Sequence, residues 1–141
     1  MRIFVDTNIL LDYLLEREPY NIPAKTIIQA CQKKQVLGCI AAHSVTNIFF
    51  ILRKYFTIKE RREILLNICK LFDVEGIDIQ KLQNALINET FQDFEDCLQM
   101  ECAKSFHADY IITRNPNDFK YSDIPCIEST EFCQVLKRSG L

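Results

Sequence analysis

Three short stretches of this chain gather the residues that can do chemistry. Asp6, Thr7 and Asn8 interrupt an apolar run that begins at Ile3 and resumes at Ile9. Asp93, Glu95 and Asp96 place three acids within four positions. Thr113, Arg114 and Asn115 end another apolar run, and Asp118 follows Asn115 after Pro116 and Asn117. Each stretch has an ordinary structural reading. Asp-Thr-Asn before an amphipathic segment is good helix-capping chemistry. Asp93 with an acid three residues on resembles a capping box, and acids in a first helical turn suit the helix dipole. Asn-Pro and Asn-Asp form turns. Yet three polar residues in a row exceed one cap's needs, as do three acids in four positions. Carboxylates crowded together repel unless a cation neutralises them. Magnesium suits that task, being a hard ion held by carboxylates and water.

These groups need a frame, and the hydrophobic pattern suggests one. "RIFVD" reads as a buried strand, and "TNILLDYLLERE" as a helix with Pro19 just beyond its end. "PAKTIIQACQKKQ" reads as a second helix opened by Pro23. "VLGCIAA" is a second strand, and "SVTNIFFILRKYF" a third helix with Ser44 as its N-cap. Thr57 and Glu60 form a T-x-x-E capping box for "IKERREILLNICKLF". "FDVEGI" reads as a short third strand and "DIQKLQNALINE" as an amphipathic helix. "DFEDCLQMECAKSFH" is a further helix starting near Asp93, followed by a strand in "DYIITRN". "DIPCIE" and "STEFCQVLKR" close the chain as a strand and a helix.

Strands alternating with helices imply a mostly parallel sheet covered on both faces. Ligands bind such sheets at the carboxyl ends of the strands. Asp6 and the Thr113–Asn115 segment both fall at strand carboxyl ends and share one crevice on this reading.

Composition narrows the class further. The chain has 141 residues, 48% of them hydrophobic, which suits one domain over residues 1–141. The formal net charge is −2, so any nucleic-acid contact uses a local basic patch. Arg53 and Lys54, with Arg61 and Arg62, form one such cluster; solvated helix faces are the plainer reading. The seven cysteines are scattered without a C-x-x-C pair, and only two histidines accompany them. They read as buried thiols in a reducing cytosol rather than a zinc site. Neither a signal peptide nor a membrane-spanning run is read, so a soluble cytoplasmic protein without membrane contact is expected.

Taken together, the motifs resemble a known family. "FVDTNILLDYLL", "SVTNIFFILRK" and "DFEDCLQMECAKSFHADYIITRNPNDF" look like the PIN-domain nucleases, and more closely their VapC-type toxins. The resemblance runs from residue 3 to about residue 119. It implies a three-layer α/β/α sandwich around a mostly parallel sheet, with acids in a crevice at the sheet's carboxyl edge. It also implies a ribonuclease that binds Mg²⁺ or Mn²⁺ and hydrolyses RNA phosphodiester bonds. Homodimers and small antitoxin partners are common in that family.

Carried over by position, Asp6 matches the first family acid and Asp96 the third, as metal ligands. The second position, usually Glu, falls on Asn47, and the fourth, often Asp, falls on Asn115. Asp118 stands where it can substitute or assist, and Asp93 is either a second acid behind the site or simply the helix cap. Thr7, Asn8 and Asn47 are candidates for orienting water or phosphate. Arg53, Lys54 and Arg114 are candidates for RNA contact.

Two amides in place of acids open an alternative: a catalytically weakened PIN-like domain that binds RNA or protein. A phosphatase with a strand-end nucleophile is disfavoured. That chemistry wants a second Asp two residues on, where this chain has Asn8.

Overall fold

The computed structural model describes residues 1–140. Five parallel strands form one sheet in the order β3-β2-β1-β4-β5. In chain order these are β1 (Arg2–Val5), β2 (Leu37–Ala41), β3 (Asp73–Glu75), β4 (Tyr110–Ile112) and β5 (Cys126–Ile127). The helices are α1 (Thr7–Leu14), α2 (Asn21–Gln32), α3 (Ala42–Ile51), α4 (Ile58–Leu71), α5 (Ile79–Ile87), α6 (Phe94–Ser105) and α7 (Ser129–Arg138). Short 3-10 turns occupy Leu52–Lys54 and Pro116–Phe119.

Alternation along the central strand explains the three layers. Ile3 and Val5 point into one core, and Phe4 into the other. The first core joins them to Ile9, Leu10, Ile27, Ile28, Ile48, Leu65 and Phe132, from α1, α2, α3, α4 and α7. The second packs Phe4 with Cys39 and Ile111 against Leu98, Met100 and Cys102 of α6 and Ala85 of α5. Helix α6 is buried continuously from Cys97 to Ala103, so its sequence lacks a polar face in the middle. The three-layer α/β/α arrangement expected from the sequence is the one observed.

The strand order contains a switch. From β1 the chain builds outward through β2 to β3, then returns to the other side of β1 for β4 and β5. The carboxyl ends of β1 and β4 therefore diverge into connections on opposite sides, which opens a crevice between them. Asp6 follows β1 directly and Thr113 follows β4 directly.

Local predictions hold in most places and fail in three. The Thr57–Glu60 capping box is formed from both sides. Helix α1 ends at Leu14, four residues short of the expected end. Glu16 takes a left-handed backbone (φ 49°), and the Arg17 amide turns back to the Asp12 carbonyl at 3.0 Å. Helix α2 begins two residues before Pro23, which still lies in the first turn, where its missing N–H costs nothing.

Helix α3 begins at Ala42, so Ser44 is not its cap. Ser44 is buried and shares a 2.6 Å hydrogen bond with the Thr7 hydroxyl. A side chain committed to a tertiary contact is not free to cap.

All seven cysteines are free, but only Cys31, Cys39, Cys97 and Cys102 are buried as expected; Cys126 and Cys133 are half-buried and Cys69, on the outer face of α4, is exposed. Burial pushes the Cys31, Cys39 and Cys102 thiols up to about 12, as expected of thiols serving as small hydrophobes. Among the described residues no helix is long and apolar enough to cross a membrane.

Candidate active site

Asp6 occupies the N-cap position of α1 with an extended backbone, yet its side chain makes no capping bond. Both carboxylate oxygens look across the sheet instead. Gln99 Nε2 donates to Oδ1 at 3.0 Å, and Thr113 Oγ1 donates to Oδ2 at 2.8 Å. Gln99 Oε1 in turn accepts from the Thr7 amide at 3.3 Å, which fixes the orientation of its amide group. The Thr113 hydroxyl also accepts from the Asn115 amide at 3.2 Å, tying the loop after β4 to the same network. Asp6 is thus held by neutral donors from α6 and from the residue that follows β4. Burial raises its pKa above the usual carboxylate value, and the Thr113 and Gln99 bonds pull against that rise.

The second acid comes from α6. Asp93 caps this helix: its Oδ1 accepts from the Glu95 amide at 2.8 Å and the Asp96 amide at 3.2 Å. The capping reading of Asp93 is therefore correct. The cap orients the first turn so that Asp93, Glu95 and Asp96 line one cleft with Asp6, Thr7, Asn8, Asn47 and Gln99. This cleft has a volume of about 420 Å³. Asp96 carries the clearest electrostatic signature of crowding. Burial, then the negative charges of Asp93, Asp6, Asp118 and Glu95, push its pKa up to about 7. Among the described residues no Lys or Arg forms an ion pair with Asp6, Asp93, Glu95, Asp96 or Asp118.

The other candidates occupy distinct places. Asn47, on α3, faces this cleft, and its Nδ2 donates weakly to the Glu95 carboxylate at 3.4 and 3.5 Å. Asn115 is exposed and precedes the 3-10 turn without a side-chain cap. Asp118 lies in that turn and lines a neighbouring cleft, which it shares with Asp93 and Asp96.

Arg53 donates to the Phe50 carbonyl at 2.9 Å, and its guanidinium stacks on the Phe50 ring at 3.7 Å. Phe50 itself lines the cleft, so Arg53 stands at its rim, with exposed Lys54 beside it. Arg114 sits elsewhere. Its Nε lies 3.1 Å from Asp12 Oδ2, and its guanidinium covers the Tyr20 ring at 4.3 Å. A guanidinium held by a buried carboxylate is poorly placed to meet a phosphate.

Two contributors, Gln99 and Asp12, escaped the sequence reading. Gln99 lies three residues after Asp96, the spacing that brings helix side chains together, and that relation was the available signal. Glu95 faces Asn47 across the cleft. Asp12 is fully buried beneath the site, a charge inside an otherwise apolar helix face.

The donor set tests whether a metal belongs here. Among the described residues no three His, Cys, Asp or Glu side chains converge closely enough for a ready-made cage. Mg²⁺ does not demand one; it keeps several waters and is commonly held by one or two carboxylates plus substrate phosphate. Two acids without cationic partners, surrounded by amide and hydroxyl oxygens, suit such a hydrated ion.

Comparison with known proteins agrees with the frame. A structure of VapBC2 from Rickettsia felis bound to a DNA fragment from their promoter is 14% identical, with a TM-score of 0.65 over 91% of this chain and 98% of that one. A toxin–antitoxin complex from Klebsiella pneumoniae is 24% identical, with a TM-score of 0.65 over 90% and 97%. VapBC-1 from nontypeable Haemophilus influenzae is 16% identical, with a TM-score of 0.65 over 92% and 99%. At these identities the likeness is one of fold. No curated protein sequence matches the chain. The PIN domain family model matches residues 2–117, most of the chain's length, and the protein therefore belongs to the PIN domain family.

Proposed function

We propose that this protein, acting as one domain over residues 1–141, is a metal-dependent endoribonuclease and the toxin of a toxin–antitoxin pair. One observation carries the catalytic reading: Asp6 and Asp96 share a cleft and electrostatic repulsion, with no basic side chain paired to either. The toxin reading rests on the family and on structural likeness to toxin–antitoxin complexes. An antitoxin partner, a homodimer and a cytoplasmic setting belong to the same proposal.

Asp6 and Asp96 would hold Mg²⁺ or Mn²⁺, which lowers the pKa of a coordinated water and neutralises charge on phosphate. The chain's own residues do the rest. Gln99 and Thr113 fix the Asp6 carboxylate in the wall of the cleft, so it would meet a cation without reorganisation. With burial and neighbouring acids pushing its pKa up to about 7, Asp96 would give up its remaining proton to hold a cation, which would couple binding to pH. Thr7, Asn8 and Asn47 line the cleft as polar groups able to orient phosphate or water. Arg53 and Lys54 at the rim take neighbouring phosphates of the strand. Asp118 reinforces the negative field from the next cleft, and Asn115 holds the loop through its backbone. Hydrolysis joins the water oxygen to phosphorus and breaks one phosphorus–oxygen ester bond, the departing oxygen gaining a proton.

The test is cleavage of single-stranded RNA by purified protein with Mg²⁺ or Mn²⁺. Cleavage is expected to stop in EDTA and in Asp6→Asn and Asp96→Asn. Cleavage that survives all three treatments contradicts the mechanism. A second reading, an RNA- or protein-binding module with weakened catalysis, is favoured by the amides at Asn47 and Asn115. Metal-independent RNA binding with no cleavage at any metal concentration supports that reading.

A further inference from the structure

Helix α6 begins on a ridge between two clefts. Asp93 and Asp96 line both the cleft of Asp6 and a second one of about 320 Å³. The second cleft has a different character. Its wall carries Tyr121, a residue 58% exposed, with Lys120 Nζ 5.2 Å from the ring centroid. Phe91 lines it and meets the buried Phe119 edge-to-face at 6.1 Å, which gives it a packed floor. Around these stand the hydroxyl and amides of Thr90, Gln92 and Asn117, with Asp118 among them.

We propose that this second cleft is a base-binding subsite, in which an unpaired nucleobase of the RNA strand stacks on Tyr121 beside the cleaved phosphate. The inference rests on the ribonuclease reading above. The chemistry separates a base from a phosphate. Three carboxylates, Asp93, Asp96 and Asp118, repel a phosphate, whereas they accept hydrogen bonds from exocyclic amino and ring N–H groups. The amides of Gln92 and Asn117 offer both donors and acceptors to a base edge. An exposed aromatic ring is the usual platform for an unstacked base, and the adjacent Lys120 meets the backbone that carries it. The first cleft has the opposite balance at its far rim, where Arg53 lies on Phe50. A strand crossing the start of α6 thus meets cations at the Arg53 rim, acids in the middle and an aromatic platform beyond.

The experiment measures binding in EDTA of an end-labelled single-stranded RNA and of an abasic strand with the same number of phosphates. The proteins are wild type, Tyr121→Ala and Tyr121→Phe. Tyr121 is exposed, so truncation leaves the core intact, and a thermal melt verifies folding. Tyr121→Ala is expected to weaken binding of the base-bearing strand about tenfold, and Tyr121→Phe to preserve it. The abasic strand is expected to bind wild type and Tyr121→Ala alike. Equal affinity of wild type and Tyr121→Ala for the base-bearing strand overturns the subsite, as does an equal loss on the abasic strand. Cleavage with Mn²⁺ by wild type, followed in parallel, separates the two ideas. Cleavage with no Tyr121 effect removes the subsite alone; a Tyr121 effect without cleavage removes the nuclease reading and keeps the base site.

Discussion

Asp6 and Asp12 are two buried aspartates on neighbouring turns of chain, treated in opposite ways. Asp12 has no exposed surface and is answered by two arginines, Arg114 at 3.1 Å and Arg17 at 3.9 Å. Asp6 is 5% exposed and receives only the neutral Gln99 and Thr113, while facing further acids. Burial raises the pKa of both; at Asp12 the arginines oppose the rise, and at Asp6 only hydrogen bonds do. On the proposed reading, Asp12 is a structural acid and Asp6 a functional one. Asp12 is answered by opposite charge alone, since neither of its oxygens accepts a hydrogen bond. A buried charge left to face other acids is an invitation to an external cation.

The largest expected effect breaks the compensated half. Asp12→Ala leaves the partly exposed Arg114 and Arg17 without their shared acid and opens a gap in the core, at an expected cost of about 2 kcal/mol of stability. A thermal or urea melt checks this, and an unchanged midpoint would show that the pair is idle. Next comes Gln99→Ala, which leaves both aspartates in place but frees the Asp6 carboxylate. Loss of such an orienting partner is expected to lower cleavage about 10- to 100-fold, and the buried carboxylate oxygen left unpaired is expected to lower the melting temperature as well. A variant that cuts at the wild-type rate removes Gln99 from the account.

Asn47→Glu sharpens the uncompensated half by adding an acid opposite Glu95. It is expected to lower stability without metal, through like-charge repulsion, and to strengthen Mn²⁺ binding severalfold. Calorimetry reporting weaker binding would contradict a metal site facing Asn47.

The smallest effect is a pH dependence. The Asp96 pKa is pushed up from 3.8 to about 7, first by burial and then by neighbouring acids. A folded value above the unfolded one means the group's stability contribution is fully present below pH 3.8 and lost as pH rises through about 7. Metal-free protein therefore weakens between those limits. Asp96→Asn is expected to melt ~2–4 °C higher than wild type at pH 8 and no higher at pH 4. A parallel pH response in both proteins would show that Asp96 is not under strain.

Much of the frame was legible because periodicity is a local signal. Ile3, Phe4 and Val5 announce a buried strand, and Thr57 with Glu60 announces a helix start, without knowledge of the rest. The cleft was legible in part, since strand carboxyl ends in a parallel sheet are where sites form, and Asp6 falls on one. What escaped depends on contacts between distant residues. Ser44 looks like a cap until Thr7 is brought against it. Arg114 looks like a phosphate contact until Asp12 is buried beside it. Asp118 looks like a partner of Asp6, yet the Pro116–Phe119 turn carries it to the adjacent cleft. Glycine, proline and capping patterns do not encode such meetings; the packing of α1, α6 and the loop after β4 does.

The most direct test of the contrast is a Mn²⁺ titration by calorimetry at pH 8, where Asp96 is ionised. Wild type and Asp12→Asn are expected to bind the ion, while Asp6→Asn and Asp96→Asn are expected to lose it. Undiminished binding by Asp6→Asn and Asp96→Asn would contradict the claim that these two acids are the ones left for a cation.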